Sequence, residues 1–257
     1  MENEREDLFL EIARGNTIDY GDVHKFGTNG AIGTTITPVC SSGFYRTPTT
    51  AVSLEVVSTS TNDTAAGSGA RSVTVEGLDA NGVFQKKTTA TDGTSAAAIS
   101  GTWLRVFRMY VSTSGTYATQ TASSHAGTIT VQVASGGDVW AQIEVDSGLG
   151  LGQSQIGAYT VPKGKEAYLC TNQFSIDSNK TVNLYFFKRD NILDTTAPYE
   201  PMRLQSVYEG LTGNNSFQHK TYEKYDELTD IGYMAKTSTG TSSVSVEFEI
   251  ILIDKPS

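Results

Sequence analysis

The histidines are the first residues to consider for catalysis or metal binding, and their positions do not converge. His24, His125 and His219 lie far apart in the chain, each in a polar segment. None has a second histidine at the short spacing that zinc sites use. We therefore interpret all three as solvated loop side chains.

Two glycine-containing stretches are similar to catalytic or binding motifs without completing them. Ser154 stands in Gly-Gln-Ser-Gln-Ile-Gly, which misses the Gly-x-Ser-x-Gly pattern by one residue and lacks its strand–turn–helix context. Gly148, Gly150 and Gly152 have the spacing of part of a phosphate-binding loop, but no βαβ unit surrounds them. We interpret these glycines as a linker.

Carboxylate pairs are frequent, but their spacing places them on solvated faces. Glu144 with Asp146, and Glu247 with Glu249, are two residues apart on predicted strands, so each pair shares one face. A glycosidase needs two carboxyl groups across a cleft. Another acidic set could hold Ca²⁺ with loop carbonyls but lacks EF-hand spacing: Asp190, Asp194, Asp226, Glu227 and Asp230. We predict that the protein is not an enzyme and binds no cofactor or metal ion.

Cysteine content and charge exclude further classes. Cys40 and Cys170 form neither a disulfide framework nor a zinc motif. We interpret both as small buried residues, although the sequence leaves a long-range disulfide open. The net charge of −9 argues against direct nucleic-acid binding. No apolar run is long enough for a transmembrane helix, and no secretory signal opens the chain, so we expect no membrane partner.

The remaining pattern is that of β-structure. From Thr50 onwards apolar and polar residues alternate, as in Val52, Leu54 and Val56, and Asn81-Gly82 is a strong hairpin signal. About seven such strands predict an antiparallel β-sandwich over residues 51–146.

A second β-unit follows a short glycine-rich break at 147–152. Residues 153–257 carry strand patterns that end in Val244, Val246, Phe248, Ile250 and Leu252 on one face. They predict a second sandwich or jelly-roll-like domain. Within it, the stretches 189–201 and 211–230 are predicted as polar loops, the latter with one short helix near 222–228. One continuous sandwich with a bent sheet is the alternative to two domains.

The first 50 residues differ from the rest of the chain. Residues 1–12 have a short helical pattern in Leu8, Phe9 and Ile12, which Gly15 and Asn16 end. After it, apolar residues are scattered among turn formers without a period. Such a segment cannot build its own core, so residues 1–50 are predicted to form an extended arm that lies across another surface. A frayed terminus is the alternative.

Four segments carry a resemblance to a known family: 9–16 (Phe-Leu-Glu-Ile-Ala-Arg-Gly-Asn), 23–29, 62–79 (beginning Asn-Asp-Thr-Ala-Ala-Gly-Ser-Gly-Ala-Arg) and 104–108. They resemble a family of tailed-bacteriophage virion proteins over roughly residues 9 to 145, and residues 158–165 are similar to members from marine phages. The family consists of virion structural components of undefined position, of head/neck accessory or decoration type. The acidic extension 1–7 departs from the pattern, since relatives tend to start nearer Glu11.

The resemblance and the arm lead to the first hypothesis, a non-enzymatic virion protein assembled in the host cytoplasm. It would form a homo-oligomer and dock on the head or neck, with major capsid, portal or neck proteins as partners. The predicted assembly residues are Phe9, Ile12, Arg14, Asn16, Tyr20, His24, Lys25 and Phe26.

Two alternatives remain. The first is a tail or fibre component that binds a host receptor or glycan through the loops 61–71, 113–126 and 211–226. Its candidate residues for sugar stacking are Tyr117, Phe217, Tyr222 and Tyr225. The second is a depolymerase, for which the sequence offers no catalytic constellation.

Overall fold

The computed structural model describes residues 8–17, 19–119, 123–145, 152–177 and 179–255. In this part of the chain the one helix is α1 (Leu8–Ala13), and the other regular elements are strands that pair antiparallel. The predicted all-β class is therefore confirmed. Two strands follow the helix, β1 (Tyr20–Ile32) and β2 (Thr37–Pro38).

The first unit is built from seven strands in two sheets. The strands are β3 (Val52–Ser58), β4 (Ala70–Leu78), β5 (Phe84–Ala90), β6 (Ala97–Trp103), β7 (Arg105–Ser114), β8 (Ile129–Val133) and β9 (Val139–Ile143). Sheet C has the order β6-β3-β8-β9, and sheet D has the order β5-β4-β7. Alternating apolar side chains fill the space between them, with Trp103 and Met109 fully buried.

The predicted hairpin connects β4 to β5. Gly82 adopts a φ of +74°, which glycine tolerates without steric cost. The carboxylate of Asp79 accepts hydrogen bonds from the backbone amides of Asn81 at 2.8 Å and Val83 at 2.9 Å. Asp79 and Gly82 thus give this turn its local determinants.

The second unit contains the remaining strands. They are β10 (Ala158–Thr160), β11 (Lys165–Ile176), β12 (Val182–Arg189), β13 (Arg203–Leu211), β14 (Gly213–Tyr225), β15 (Asp230–Thr237) and β16 (Ser242–Asp254). Sheet A has the order β1-β16-β11-β14, and sheet B has the order β10-β15-β12-β13 with β2 beside β15. An aromatic and aliphatic core lies between these sheets, centred on Phe186, Tyr233 and Phe248.

Part of the predicted extended arm, residues 1–50, is a strand of the second unit. β1 pairs with β16 from Tyr20 opposite Ile253 to Ile32 opposite Ser242, so it is an edge strand of the second unit. The sequence of β1 shows no apolar alternation, because Lys25 and Gly27 occupy two of its inward positions. Gly27 occupies one of them because a Cβ there would lie 2.1 Å from the backbone nitrogen of Gly157.

The prediction of a loop with a short helix over 211–230 is also wrong in its main part. β14 spans Gly213–Tyr225 and pairs with β11, with an irregular register opposite Cys170. It is an edge strand whose side chains are largely exposed, so no apolar alternation reveals it. Of the predicted loop 189–201, Arg189 ends β12, and residues 190–201 have no helix or strand. Most of the predicted break at 147–152 lies outside the described residues.

A buried ion pair joins the two units. Arg105 at the start of β7 donates from Nε to Asp230 Oδ1 at 2.9 Å and from Nη2 to Oδ2 at 2.7 Å. Thr160 donates to the same carboxylate, and Tyr45 lies 2.7 Å from the Thr160 hydroxyl oxygen. The side chains of Arg105 and Asp230 are 2% and 0% exposed, so water cannot replace either partner.

We call the Arg105–Asp230 pair the joint between the units. We expect a large loss of stability for Asp230→Asn, because this substitution leaves the Arg105 guanidinium buried without its countercharge. We expect the free energy of unfolding to fall by about 3–5 kcal/mol in urea denaturation. Arg105→Met combined with Asp230→Asn should recover part of this loss, because the unpaired charge is gone. Arg203→Met, which breaks the partly exposed pair with Asp190, should cost less than about 1 kcal/mol. Equal losses for Asp230→Asn and Arg203→Met would contradict the role of the joint.

Candidate functional site

The helix α1 lies on the outer face of sheet A. Ile12 is buried and lines a pocket together with Cys170 and Ile251 from the central strands of the sheet. Phe9 contacts Tyr222 of β14 edge to face, with ring centroids 6.3 Å apart. Two of the predicted assembly residues, Phe9 and Ile12, thus attach the N-terminal segment to its own sheet.

The exposed side of this helix is apolar. Leu8, Phe9 and Leu10 are 51%, 52% and 47% exposed, and Tyr222 beside them is 38% exposed. We call these four residues the N-terminal apolar patch. Contiguous exposed apolar surface of this kind marks interaction sites more often than isolated exposed residues do.

The polar residues of the predicted arm stabilise the end of α1. Arg14 Nη1 donates to Glu11 Oε1 at 2.9 Å, and Asn16 Nδ2 donates to Glu11 Oε2 at 2.6 Å. Gly15 follows with a φ of +71°, the left-handed conformation that commonly ends a helix. Arg14 and Asn16 therefore have local partners that hold the patch in place.

Three other predicted residues lie along β1. His24 Nε2 is 2.6 Å from Glu247 Oε1 on the neighbouring strand. Phe26 lines a shallow cavity of about 300 Å³ with Gln173, while Tyr20 is partly exposed where β1 begins. Of these three side chains, His24 also lines the pocket beneath α1 together with Phe9 and Ile12.

Lys25 points in the opposite direction, into the contact between the two units. Its ammonium group donates to the backbone carbonyl of Phe107 at 2.6 Å, and Arg108 Nη2 donates to the carbonyl of His24 at 2.8 Å. Burial, together with the nearby Arg108, lowers the pKa of Lys25 to about 7, and Cys40 and Glu76 act in the opposite sense. Lys25 therefore fixes β1 to the first unit and does not face a docking partner.

Sequence reasoning missed part of the patch. Leu8 and Leu10 were not among the predicted assembly residues, and Tyr222 was assigned to a loop. The signal that could have identified the leucines is the run Leu8-Phe9-Leu10, in which one helix cannot bury three consecutive side chains on one face.

The structure does not bring the predicted sugar-stacking residues together. Tyr225 is buried, and Phe217 packs against Phe174 and Tyr208 with centroids 5.7 and 5.1 Å away. Tyr117 is 90% exposed on the first unit, whereas Tyr222 contacts α1 in the second. Part of the loop 113–126 lies outside the described residues.

The remaining candidate groups have structural partners. Ser154 is buried, and its hydroxyl oxygen accepts the backbone amide of Met109 at 2.8 Å. His125 Nε2 lies 2.9 Å from the carbonyl of Glu144, and His219 Nε2 lies 2.7 Å from Asn172 Nδ2. Across the described ranges, no three His, Cys, Asp or Glu residues are grouped as metal ligands. No described helix is long and apolar enough to cross a membrane.

Comparison with known proteins gives distant likenesses. No family model and no curated protein matches the chain. A structure of infectious bursal disease virus, Gx strain, is 9% identical, with a TM-score of 0.26 and coverage of 92% of this chain and 71% of that one. VP2 from T=1 particles of the same virus is 9% identical, with a TM-score of 0.20 and coverage of 92% and 74%.

An enzyme structure is similarly distant. The isomalto-dextranase of Arthrobacter globiformis T6, complexed with panose, is 11% identical with a TM-score of 0.22. The match covers 82% of this chain but 34% of the enzyme, so the chain spans about a third of that protein. At these TM-scores the likenesses carry no inference about fold or function.

The environment of Lys25 predicts a pH-dependent contribution to stability. Between about pH 7 and pH 10.5 the unfolded chain holds a proton on Lys25 that the folded chain lacks, so the free energy of unfolding rises with pH. Relative to Lys25→Met, the wild-type protein should therefore gain roughly 1 kcal/mol per pH unit within this window.

Urea denaturation at several pH values measures this difference. Lys87→Met, which removes the same side chain from the edge strand β5, is the matched control and should run parallel to the wild type. Parallel curves for Lys25→Met and the wild type would show that Lys25 keeps its proton in the folded state.

Proposed function

We propose that this protein is a non-enzymatic structural component of a bacteriophage virion. In this proposal it assembles as an oligomer and docks on the head or neck of the particle through its N-terminal segment. The observation that carries the proposal is the N-terminal apolar patch. Its side chains stay exposed although each unit has a hydrophobic core in which apolar side chains are buried.

The patch has the properties of a docking element. Ile12 and the edge contact between Phe9 and Tyr222 hold it against sheet A, and Glu11 holds Arg14 and Asn16. Because its geometry is already fixed, binding would cost less conformational entropy than the ordering of a free tail. Leu8 and Leu10 remain exposed for a partner.

The segment that carries the family resemblance has a structural role. The buried carboxylate of Asp63 accepts backbone amides from Ala70, Ala126 and Gly127 at 2.7–2.9 Å, and Ser58 donates to it at 2.6 Å. A Cβ on Gly69 would lie 2.0 Å from Asp63 Oδ1, so only glycine fits there. The small residues of this stretch thus let a loop close tightly around one carboxylate.

The proposed partners are further copies of the chain and the major capsid, portal or neck proteins. Repetition of the same weak contact around a symmetric particle makes individually weak interfaces collectively strong. The net charge of −9 suits a protein displayed at high density, because like charges keep such surfaces soluble.

Removal of the exposed leucines tests the proposal. In Leu8→Ser with Leu10→Ser, the fold should be retained because neither side chain is buried, but incorporation into particles should fall at least about tenfold. The measurement is the amount of protein that co-sediments with particles from host cells supplying the variant.

Ile36→Ser is the matched control, since Ile36 is 46% exposed but lies away from the patch. It should be incorporated like the wild type. Normal incorporation of the double serine variant would refute docking through the N-terminal segment. Deletion of residues 1–30 is unsuitable for this test, because it removes most of β1 and uncovers β16.

A further inference from the structure

A groove with an apolar floor lies between the two units, beside β1. Its volume is about 330 Å³. The lining residues are Val23, Val83, Phe84, Tyr159, Pro162, Lys163, Lys165 and Leu252. We call it the inter-unit groove.

The walls of the inter-unit groove are held by backbone and ring contacts. The amide of Lys163 donates to the carbonyl of Gly82 at 2.8 Å, which ties the β4–β5 hairpin to the second unit. On the floor, Tyr159 stacks against Phe107 with centroids 4.5 Å apart. Val83 and Phe84 are nevertheless 46% and 48% exposed, so the groove offers apolar surface that the chain leaves uncovered.

The charged residues that line the inter-unit groove are both lysines. Lys163 and Lys165 are its charged lining residues, in a chain whose net charge is −9. Lys165 is paired with Asp254, but both side chains are about half exposed, so the pair leaves the ammonium group accessible. The groove therefore suits a ligand that combines carboxylates with apolar side chains.

The N-terminus of this chain has that composition. Residues 1–7, Met-Glu-Asn-Glu-Arg-Glu-Asp, are acidic and precede the exposed residues Leu8 and Leu10. Residues 1–7 lie outside the described part of the chain, and at full extension seven residues span about 24 Å. This length is enough to follow the lysine rim of a neighbouring molecule.

We propose that residues 1–10 of one copy occupy the inter-unit groove of a second copy. The acidic residues lie along Lys163 and Lys165, and the leucines cover the floor at Phe84. This inference rests on the proposed function and names one partner for its N-terminal segment. The groove contacts Val23 and Leu252, whose side chains pack on the core side of sheet A, whereas α1 lies on the outer face. We take a second copy as the occupant because Ile12 and Phe9 hold Leu8 and Leu10 on the outer face of sheet A in their own chain.

Charge reversal and charge exchange test the contact in solution. Lys163→Glu with Lys165→Glu should weaken self-association about tenfold or more, measured as molar mass against concentration by light scattering. Adding Glu4→Lys and Glu6→Lys to the same chain restores opposite charges and should recover most of the association. Lys87→Glu with Lys180→Glu makes the same change in net charge outside the groove and should leave association intact.

A photo-crosslinking residue at position 4 gives a second measurement, in which the residues of the inter-unit groove are unchanged. In a mixture of isotopically light and heavy protein, we expect crosslinks between chains to a peptide containing Phe84 or residues 159–165. Three results would each overturn the proposal. They are a strictly monomeric wild type, equal self-association of the wild type and the glutamate variant at Lys163 and Lys165, and crosslinks confined to one chain.

Particle incorporation separates this inference from the proposed function. The wild-type protein could join particles while the glutamate variants at Lys163 and Lys165 are incorporated and self-associate like the wild type. That result would overturn the groove contact alone. The double serine variant at Leu8 and Leu10 could lose incorporation while the glutamate variants at Lys163 and Lys165 are incorporated normally. That result would point to another virion protein as the partner.

Discussion

The buried ion pair between Arg105 and Asp230 is the contact on which the arrangement of the two units depends. Both charges are removed from water, so each is tolerated in the folded protein only when the other is in place. Burial raises the pKa of Tyr45 well above its usual value, and Asp230 adds to this effect, so the phenol keeps its proton and donates toward Thr160. The first strand residue of β7 and that of β15 are thereby fixed relative to one another.

The position of β1 follows from this joint. Lys25 donates to Phe107 in the first unit, and Gly27 lies against Gly157 before β10, so the strand is held by both units. If the units separated, the strand would lose one side of its packing. The same joint brings the β4–β5 hairpin next to β1 and so creates the inter-unit groove. The inter-unit groove thus depends on the contact that joins the two units.

Strands with one apolar face were predictable from the sequence, because their alternation is local. β3, β8 and β16 show this, as does the turn at Asn81-Gly82. β14 was not predictable, because an edge strand exposed along most of its length has no apolar face to alternate. β1 was not predictable because Lys25 and Gly27 occupy its inward positions. The contacts that require these two residues, with Phe107 and Gly157, are more than 80 positions away in sequence. The helical spacing of Phe9 and Ile12 was visible in the sequence, but their packing on the chain's own sheet was not. The exposure of Leu8 and Leu10 depends on how little of a six-residue helix the sheet can cover.

The order of folding and assembly follows from the same geometry. The N-terminal apolar patch needs sheet A complete, since Tyr222 and the pocket for Ile12 come from β14, β11 and β16. The inter-unit groove needs both units joined, since its walls come from the β4–β5 hairpin, β1 and the segment after β10. A chain with unpaired units therefore lacks the inter-unit groove, even where sheet A and the N-terminal apolar patch have formed. Under the proposed function, self-association is therefore restricted to molecules in which the Arg105–Asp230 joint has already formed, and premature contacts between partly folded copies lack the complementary surface that would stabilise them.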